Sequence, residues 1–258
     1  MLTATIEGIG FWAAGLPTWA AAHAFATGRG GIVDTPPRPA SQLLAPNERR
    51  RAPDTVAVSL EVALAACQDA GRDPAALPSI FTSTHGDVAI TDYMCTTLAS
   101  DPLAISPTKF HNSVHNAAAG YWTIGAGATA AATAISAHRA SFAQGLLEAL
   151  SQLAAGEAAV LLAAYDSRST GPLARVSQSD SLLGAALVLG AAALPGKPRL
   201  RVRLADGDAA AGDGALARHA AGNAMAPMLV LFDALAAGAA GCTLDAGGGR
   251  CLHVELQT

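Results

Sequence analysis

The densest group of polar side chains in the sequence lies directly before a run of alanines. It consists of His111, Asn112, Ser113, His115 and Asn116, followed by three alanines. Histidine and asparagine at the start of a helix can hydrogen-bond a carbonyl oxygen or act as acid and base. The same side chains can instead cap the helix by bonding its free backbone N–H groups. The sequence leaves both roles open.

The same histidines could also be considered as metal ligands. His111 and His115 are four residues apart, a spacing that can place two metal ligands on one helix face. No carboxylate or third histidine stands beside them, so no metal is expected. His85 precedes Gly86 at a second polar junction, which is typical of a structural turn. His138 stands isolated in the sequence.

Several well-known motifs are missing from the sequence. It contains no phosphate-binding P-loop, no GxGxxG after a strand, no GxSxG and no HExxH. The cysteines, Cys67, Cys95, Cys242 and Cys251, are scattered without CxxC spacing. This favours buried apolar thiols over a zinc site or a disulfide framework. We therefore expect neither a metal nor any other cofactor.

The composition narrows the class of protein further. Of the 258 residues 51% are hydrophobic and 14% charged, and 62 are alanine, so a large core with closely packed elements is expected. A net charge of −4 argues against nucleic-acid binding. The apolar runs are interrupted by Gly, Pro or charge, so no membrane span is expected. The N-terminus lacks the pattern of a secretory signal, which favours a cytoplasmic location.

These side chains must be positioned by an alternation of strands and helices. Apolar or β-rich runs at residues 3–9, 79–84, 129–136, 158–164 and 182–189 predict strands of a central sheet. Residues 54–70 and 141–155 predict long helices, and residues 105–110 an extended segment. Further strands are expected at 200–204 and 252–256, and a final helix at 224–238. This order predicts an α/β fold with a mostly parallel sheet.

One stretch of the chain carries a specific resemblance. The string SPTKFHNSVHNAAAG at residues 106–120, the pair Gly156-Glu157 and the apolar strand to Ala164 resemble the N-terminal half of β-ketoacyl synthases, which have the thiolase fold. The similarity covers roughly residues 1–190. It implies a truncated thiolase-like layered α-β-α fold with a mixed central sheet. Residues 1–258 would form a single domain, with 191–258 as a shortened C-terminal remainder.

The sequence departs from the condensing enzymes of this family at both reaction centres. In those enzymes a nucleophilic cysteine begins the long helix, about five helical turns before the Gly-acidic pair. Counting back from Gly156 leads to Arg139, flanked by His138 and Ala140, with no cysteine nearby. The histidine motifs of the second half are also missing. We therefore expect no catalytic residue and no independent condensing activity.

With these departures, the chain looks like the short chain-length-factor subunits encoded with aryl polyene and xanthomonadin-type pigment synthases. The resemblance implies a non-catalytic partner of a catalytic ketosynthase in type II fatty-acid or polyketide-like biosynthesis, with an acyl carrier protein as a transient partner. Such a subunit bounds the tunnel that holds the growing acyl chain. The candidates for facing the tunnel or the partner are Phe110, His111, His115, Asn116, Tyr121, Trp122 and Phe142.

The resemblance also implies an assembly surface. In the family, the strand before the nucleophile position pairs with its counterpart across a dimer, and here this strand corresponds to residues 129–136. The uncharged residues Thr129, Ala132, Thr133 and Ala134 suit an edge covered by another chain. A heterodimer with the ketosynthase is expected, with a homodimer as the fallback when the partner is missing.

Two alternative functions remain open at this point. One is a degenerate thiolase-fold acyltransferase or hydrolase that uses His115 with Ser113 or Asn116. The other is a free-standing module that binds an acyl carrier or a small molecule.

Overall fold

The computed structural model describes residues 1–257, which form a layered arrangement of strands and helices. The strands are β1 (Leu2–Ala13), β2 (Ser79–Thr82), β3 (Ala132–Ile135), β4 (Ala159–Asp166), β5 (Leu183–Gly190), β6 (Arg199–Asp206), β7 (Gly241–Gly247) and β8 (Arg250–Gln257). The helices are α1 (Trp19–Ala26), α2 (Pro46–Arg51), α3 (Asp54–Ala70), α4 (Val88–Ser100), α5 (Pro107–Asn112), α6 (Ala117–Ala126), α7 (Ser141–Ala154), α8 (Ala215–His219) and α9 (Leu229–Ala237).

All of these strands join one sheet in the order β3-β2-β4-β5-β1-β6-β8-β7. Strand β2 is parallel to β3 and to β4, while the other pairings are antiparallel. The prediction of a mixed α/β sheet is confirmed, but the prediction that it is mostly parallel is wrong. Parallel neighbours need a crossover connection, usually a helix. The segments that join β4 to β5 and β7 to β8 contain no α-helix, so each of these pairs turns back on itself as antiparallel neighbours.

The sheet lies between two helical layers. Strand β4 shows this in its alternation, because Val160 and Leu162 join the core cluster on one face while Leu161 and Tyr165 join the cluster on the other. Helices α3 and α6 cover the second face, and α1, α7, α8 and α9 cover the first. The predicted α-β-α layering is thus confirmed.

Helix α3 packs unusually close to β1, and a glycine permits it. A Cβ atom on Gly10 would overlap the carbonyl oxygen of Val62 in α3. Ten of the helix's seventeen residues are buried, in agreement with a helix enclosed on much of its surface. Close helix–sheet contact of this kind agrees with the alanine-rich composition.

Some elements differ from the sequence prediction. Residues 107–112 form α5 instead of an extended segment, because Ser106 caps the helix by accepting from the backbone N–H of Lys109 and Pro107 occupies its first turn. Helices α1 and α8 and strand β7 were not expected. The strand expected at 129–136 is limited to β3. Within residues 1–257, no helix is long and apolar enough to cross a membrane.

Candidate functional site

A buried carboxylate joins the carboxyl ends of two neighbouring parallel strands. Asp166, the last residue of β4, accepts hydrogen bonds from the hydroxyl groups of Ser83 and Thr84, both at 2.6 Å. It also accepts from the backbone N–H of Thr84 at 3.1 Å. Ser83 and Thr84 directly follow β2, and parallel strands end at the same edge of a sheet. The Asp166 carboxylate therefore fixes the backbone that leads out of β2.

The environment of Asp166 changes its acidity. Burial raises the pKa of the Asp166 carboxyl from 3.8 to about 6, against the opposing effects of the hydrogen bonds from Ser83 and Thr84 and of His115. A carboxyl group with such a pKa can exchange a proton near neutral pH. Its oxygens are nevertheless occupied by three donor groups inside the protein, so its role here is to hold the strand ends.

Three histidines from separate segments gather beside these strand ends. His115 donates from Nε2 to the carbonyl oxygen of Ser83 at 2.9 Å. The rings of His85 and His138 have centroids 6.5 Å apart. Burial lowers the pKa of His85, and the nearby His138 and His115 lower it further. From the sequence, His115 was a candidate for facing a tunnel or partner and His138 a neighbour of the expected nucleophile position, but only the fold brings the two close to His85.

The structure separates the polar group at residues 111–116. His111 is exposed on α5 near Tyr121, with ring centroids 6.1 Å apart, whereas His115 faces Ser83. Asn112 is buried. Asn116 occupies the N-cap position of α6, but its side chain makes no capping hydrogen bond. Among residues 1–257, no group of three His, Cys, Asp or Glu side chains could hold a metal ion.

A tight turn after β3 presents the residue expected at the nucleophile position. Ser141 donates its hydroxyl to the carbonyl oxygen of His138 at 2.7 Å and accepts from the N–H of Ala137 at 2.9 Å. His138 has a φ of +52°, a left-handed conformation that is uncommon outside glycine. Ala140 is buried, whereas His138 and Arg139 are exposed. The turn thus holds two basic side chains outward at the start of α7.

A cavity of about 320 Å³ opens beside this turn, and we call it the turn cavity. It is lined by Thr84, His138, Arg139, Arg175, Val176, Ser177, Gln178, Ala221, Gly222, Asn223 and Ala224. No cysteine is among these residues. Burial raises the pKa of the Cys67 and Cys242 thiols to about 12, and Cys95 is exposed on α4. The turn cavity therefore has no thiolate for acyl transfer.

A groove with a volume of about 560 Å³, which we call the apolar groove, runs along α5 and α6. Of the residues expected to face a tunnel or a partner, Phe110, His111, Asn116 and Tyr121 line it, together with Val114 and Ile124.

The remaining candidates lie elsewhere. His115 is at the strand ends. Trp122 and Phe142 are buried in the core clusters on opposite faces of the sheet, contrary to the expectation that they face a tunnel or partner. The helical period turns Trp122 away from the exposed side of α6 and Phe142 away from that of α7.

Strand β3 forms one edge of the sheet. It pairs only with β2 among the described strands. Thr129 and Ala132 are exposed, and Thr133 and Ala134 are partly exposed. Strand β3 therefore leaves the hydrogen-bonding groups of its outer side free for another chain.

Comparison with known proteins supports one family. The model described as "Beta-ketoacyl synthase, N-terminal domain" matches residues 19–248. Among curated proteins, none matches the chain.

Solved structures share the fold. One is the complex of a ketosynthase (ApeO) with its chain length factor (ApeC) from Xenorhabdus doucetiae, at 23% identity and a TM-score of 0.77, covering 99% of this chain and 100% of that one. A second is the ishigamide ketosynthase/chain length factor, at 14% identity and a TM-score of 0.72, covering 98% and 99%. A third is a type II PKS acyl-carrier protein in complex with its ketosynthase (AntDE:AntF). It has 12% identity and a TM-score of 0.74, and the match covers 100% of both chains. The expected thiolase-like fold is confirmed.

Proposed function

The chain belongs to the β-ketoacyl synthase N-terminal domain family, and on that premise we propose that it is a non-catalytic, chain-length-factor-like partner of a ketosynthase. The reaction it serves is chain extension in type II fatty-acid or polyketide-like biosynthesis. The finer assignment, to an aryl polyene pigment pathway, rests on the sequence resemblance to the short subunits of such systems.

The observation that carries this proposal is Arg139 in the turn before α7. Acyl transfer from a carrier thioester proceeds through a covalent acyl-enzyme, which needs a nucleophile. A guanidinium group remains protonated and cannot supply one. The turn cavity offers no cysteine in its place. The fold of a condensing enzyme is thus retained around a position that cannot carry an acyl group.

An exposed apolar face supports the role as a partner. Leu98, Leu103, Phe110, Val114 and Ile124 are each at least half exposed, and Leu103 is 98% exposed. They lie on α4, α5, α6 and the segments next to them. Helix α6 packs against β2 and β3, so part of this face adjoins the free edge of the sheet. A concentration of exposed apolar side chains beside an open edge is typical of an interface.

The alternative function as an enzyme would need a nucleophile that is hydrogen-bonded to a base. The hydroxyl of Ser113 donates to the carbonyl oxygen of Phe110 at 2.8 Å, and His115 donates to Ser83. No hydrogen bond joins Ser113 to His115 in the described residues, so an activated serine is not assembled. The geometry therefore favours the non-catalytic role.

The proposal is tested by incubating the chain with a malonyl or acyl thioester of an acyl carrier protein. We expect the intact mass of the chain to stay unchanged, whereas a co-purified ketosynthase becomes acylated. A stable acyl adduct on this chain, or multiple turnover of the thioester by the chain alone, would contradict the proposal.

A further inference from the structure

We propose that the turn cavity is a binding site for a phosphate group, free or carried as an ester. Two arginines, Arg139 and Arg175, are among its lining residues. In residues 1–257 neither makes an ion pair or a side-chain hydrogen bond, in contrast to Arg38, Arg72 and Arg250, which pair with carboxylates. Guanidinium groups bind phosphate through paired N–H donors. Two uncommitted ones in one cavity point to an anionic ligand.

The rest of the lining supplies further donors. Ser177 is 7% exposed, and its hydroxyl has no hydrogen-bond partner within the part of the chain that is described. His138 and Arg139 belong to the three-residue 3₁₀ turn His138–Ala140 that precedes α7. The donors offered to an anion are therefore side-chain groups.

One lining residue of the turn cavity, Asn223, is held by hydrogen bonds inside the protein. Asn223 is buried and donates to the carbonyl oxygens of Asp166 and Ser181 at 3.3 and 2.8 Å. Its own side-chain oxygen accepts from the N–H of Met225 at 2.8 Å. Because its polar atoms are occupied, Asn223 shapes the cavity, and the ligand contacts fall to the arginines and Ser177.

Acidic groups near the turn cavity do not cancel this charge. No carboxylate is among its lining residues. Asp166 is held by Ser83 and Thr84. Asp180 is exposed and its carboxylate lies against Gly222 in the cavity wall, but it forms no ion pair with Arg139 or Arg175 in residues 1–257. Asp245 shares an adjoining pocket with Arg139, but the two form no ion pair in residues 1–257. The volume of about 320 Å³ leaves room for an organic substituent on the phosphate.

Calorimetric titration of the full chain with inorganic phosphate tests this proposal. We expect saturable binding that Arg139→Gln and Arg175→Gln each weaken at least tenfold, while Arg203→Gln, which removes an exposed arginine on β6, leaves it unchanged. Glycerol 3-phosphate, titrated in parallel, distinguishes an ester from the free ion: tighter binding identifies the ester as the source, and equal binding the free ion. Because both arginines are exposed, melting curves of the variants should match the parent.

Three results would overturn the proposal. The first is that phosphate does not bind saturably. The second is that both cavity variants bind phosphate as tightly as the parent. The third is that malonate binds more tightly than phosphate, which would assign the cavity to carboxylates. None of them bears on pairing with a ketosynthase, so this inference and the proposed function fail separately.

Discussion

At Arg139 the local backbone structure is well defined, but the side chain cannot act as a nucleophile. The turn that holds it is intact, with Ser141 bonding both Ala137 and His138, so the backbone still delivers a side chain to the start of α7. If this is the nucleophile-equivalent position, as we propose, the chain differs there from a condensing enzyme in its functional group. On that proposal, the position keeps a geometry that a thiol could use.

We predict that Arg139→Cys creates a reactive thiol. The start of a helix and nearby basic side chains lower the pKa of a cysteine, so alkylation by iodoacetamide at pH 7 should be about tenfold faster than at a matched exposed cysteine. Ala155→Cys, exposed at the other end of α7, is that control. Peptide mass spectrometry separates both from Cys95. Equal rates at the two ends would contradict the assignment of position 139.

Asp166 gives a prediction about pH. Its pKa is raised from 3.8 to about 6 in the folded protein, so its stabilising contribution is complete below pH 3.8 and is lost as the pH rises towards 6. An Asp166→Asn variant cannot titrate. From pH 4 to pH 7 the stability of the parent should therefore fall relative to the variant by about 2 to 3 kcal/mol.

Urea unfolding at each pH measures this difference. Asp208→Asn, which changes an exposed carboxyl that makes no ion pair in residues 1–257, is the control and should show no comparable fall. A constant offset for Asp166→Asn would show that burial does not raise the pKa of Asp166.

At the residue scale, local patterns singled out His115 and the turn at His85, but they did not bring either of them together with His138. Position 138 carries no local signal, because its meeting with His85 depends on the parallel pairing of β2 and β3. The large aromatic residues show the same limit. Tyr121 and Trp122 are adjacent in sequence, yet one lines the apolar groove and the other is fully buried. Which side a helix presents depends on what packs against it.

At the scale of elements, β3 has the composition of a strand that another chain covers, although in this chain it lies at a free edge of the sheet. Its four residues contain no charge and no proline, the devices that usually protect a free edge. Its neighbour α6 belongs to the exposed apolar face. These features support the proposed assembly role of β3 and α6.

We predict that Ala132→Lys abolishes pairing with the ketosynthase while leaving the fold intact. Ala132 is exposed in the chain by itself, so lysine costs little there, but in the complex it would bury an unpaired charge. Pull-down and thermal melting measure the two effects. Ala193→Lys, in the exposed segment between β5 and β6, is the control. Normal pairing by Ala132→Lys would remove β3 from the interface.

Element prediction from sequence succeeded where apolar runs were long and failed where capping was decisive. The runs behind β4 and β5 are fully buried strands, and they were recognised as such. The extended segment expected before His111 is helix α5, because the Ser106-Pro107 start signal outweighs the weak β character of the residues around it. Here the residues that start a helix decide the local structure, and the short apolar run does not.

At the scale of the whole molecule, the sequence predicted seven of the eight strands and the layering, but not the direction of the strands. Alternating strands and helices predict layers. Direction depends on the connections, and the polar stretch between β4 and β5 contains only a short 3₁₀ turn at Pro172–Arg175. The family resemblance supplied the thiolase-like fold, which periodicity alone could not give.

The whole molecule also explains why a partner is expected. A single chain ends its sheet on an open edge at β3 and leaves Leu103 and Ile124 exposed by 98% and 78%. Covering such surfaces requires an obligate type of interface, on the order of 2,000 Å² or more. Without the ketosynthase, we expect the same surface to form a homodimer.

The most direct test of the account is the mass of the assembly in solution. The chain, of 25.8 kDa, is co-expressed with a cysteine-containing ketosynthase and analysed by size-exclusion chromatography with light scattering. The account predicts one species with the summed mass of the two chains, and a homodimer when the chain is expressed alone. A stable monomer whose mass does not change when the ketosynthase is added would contradict it.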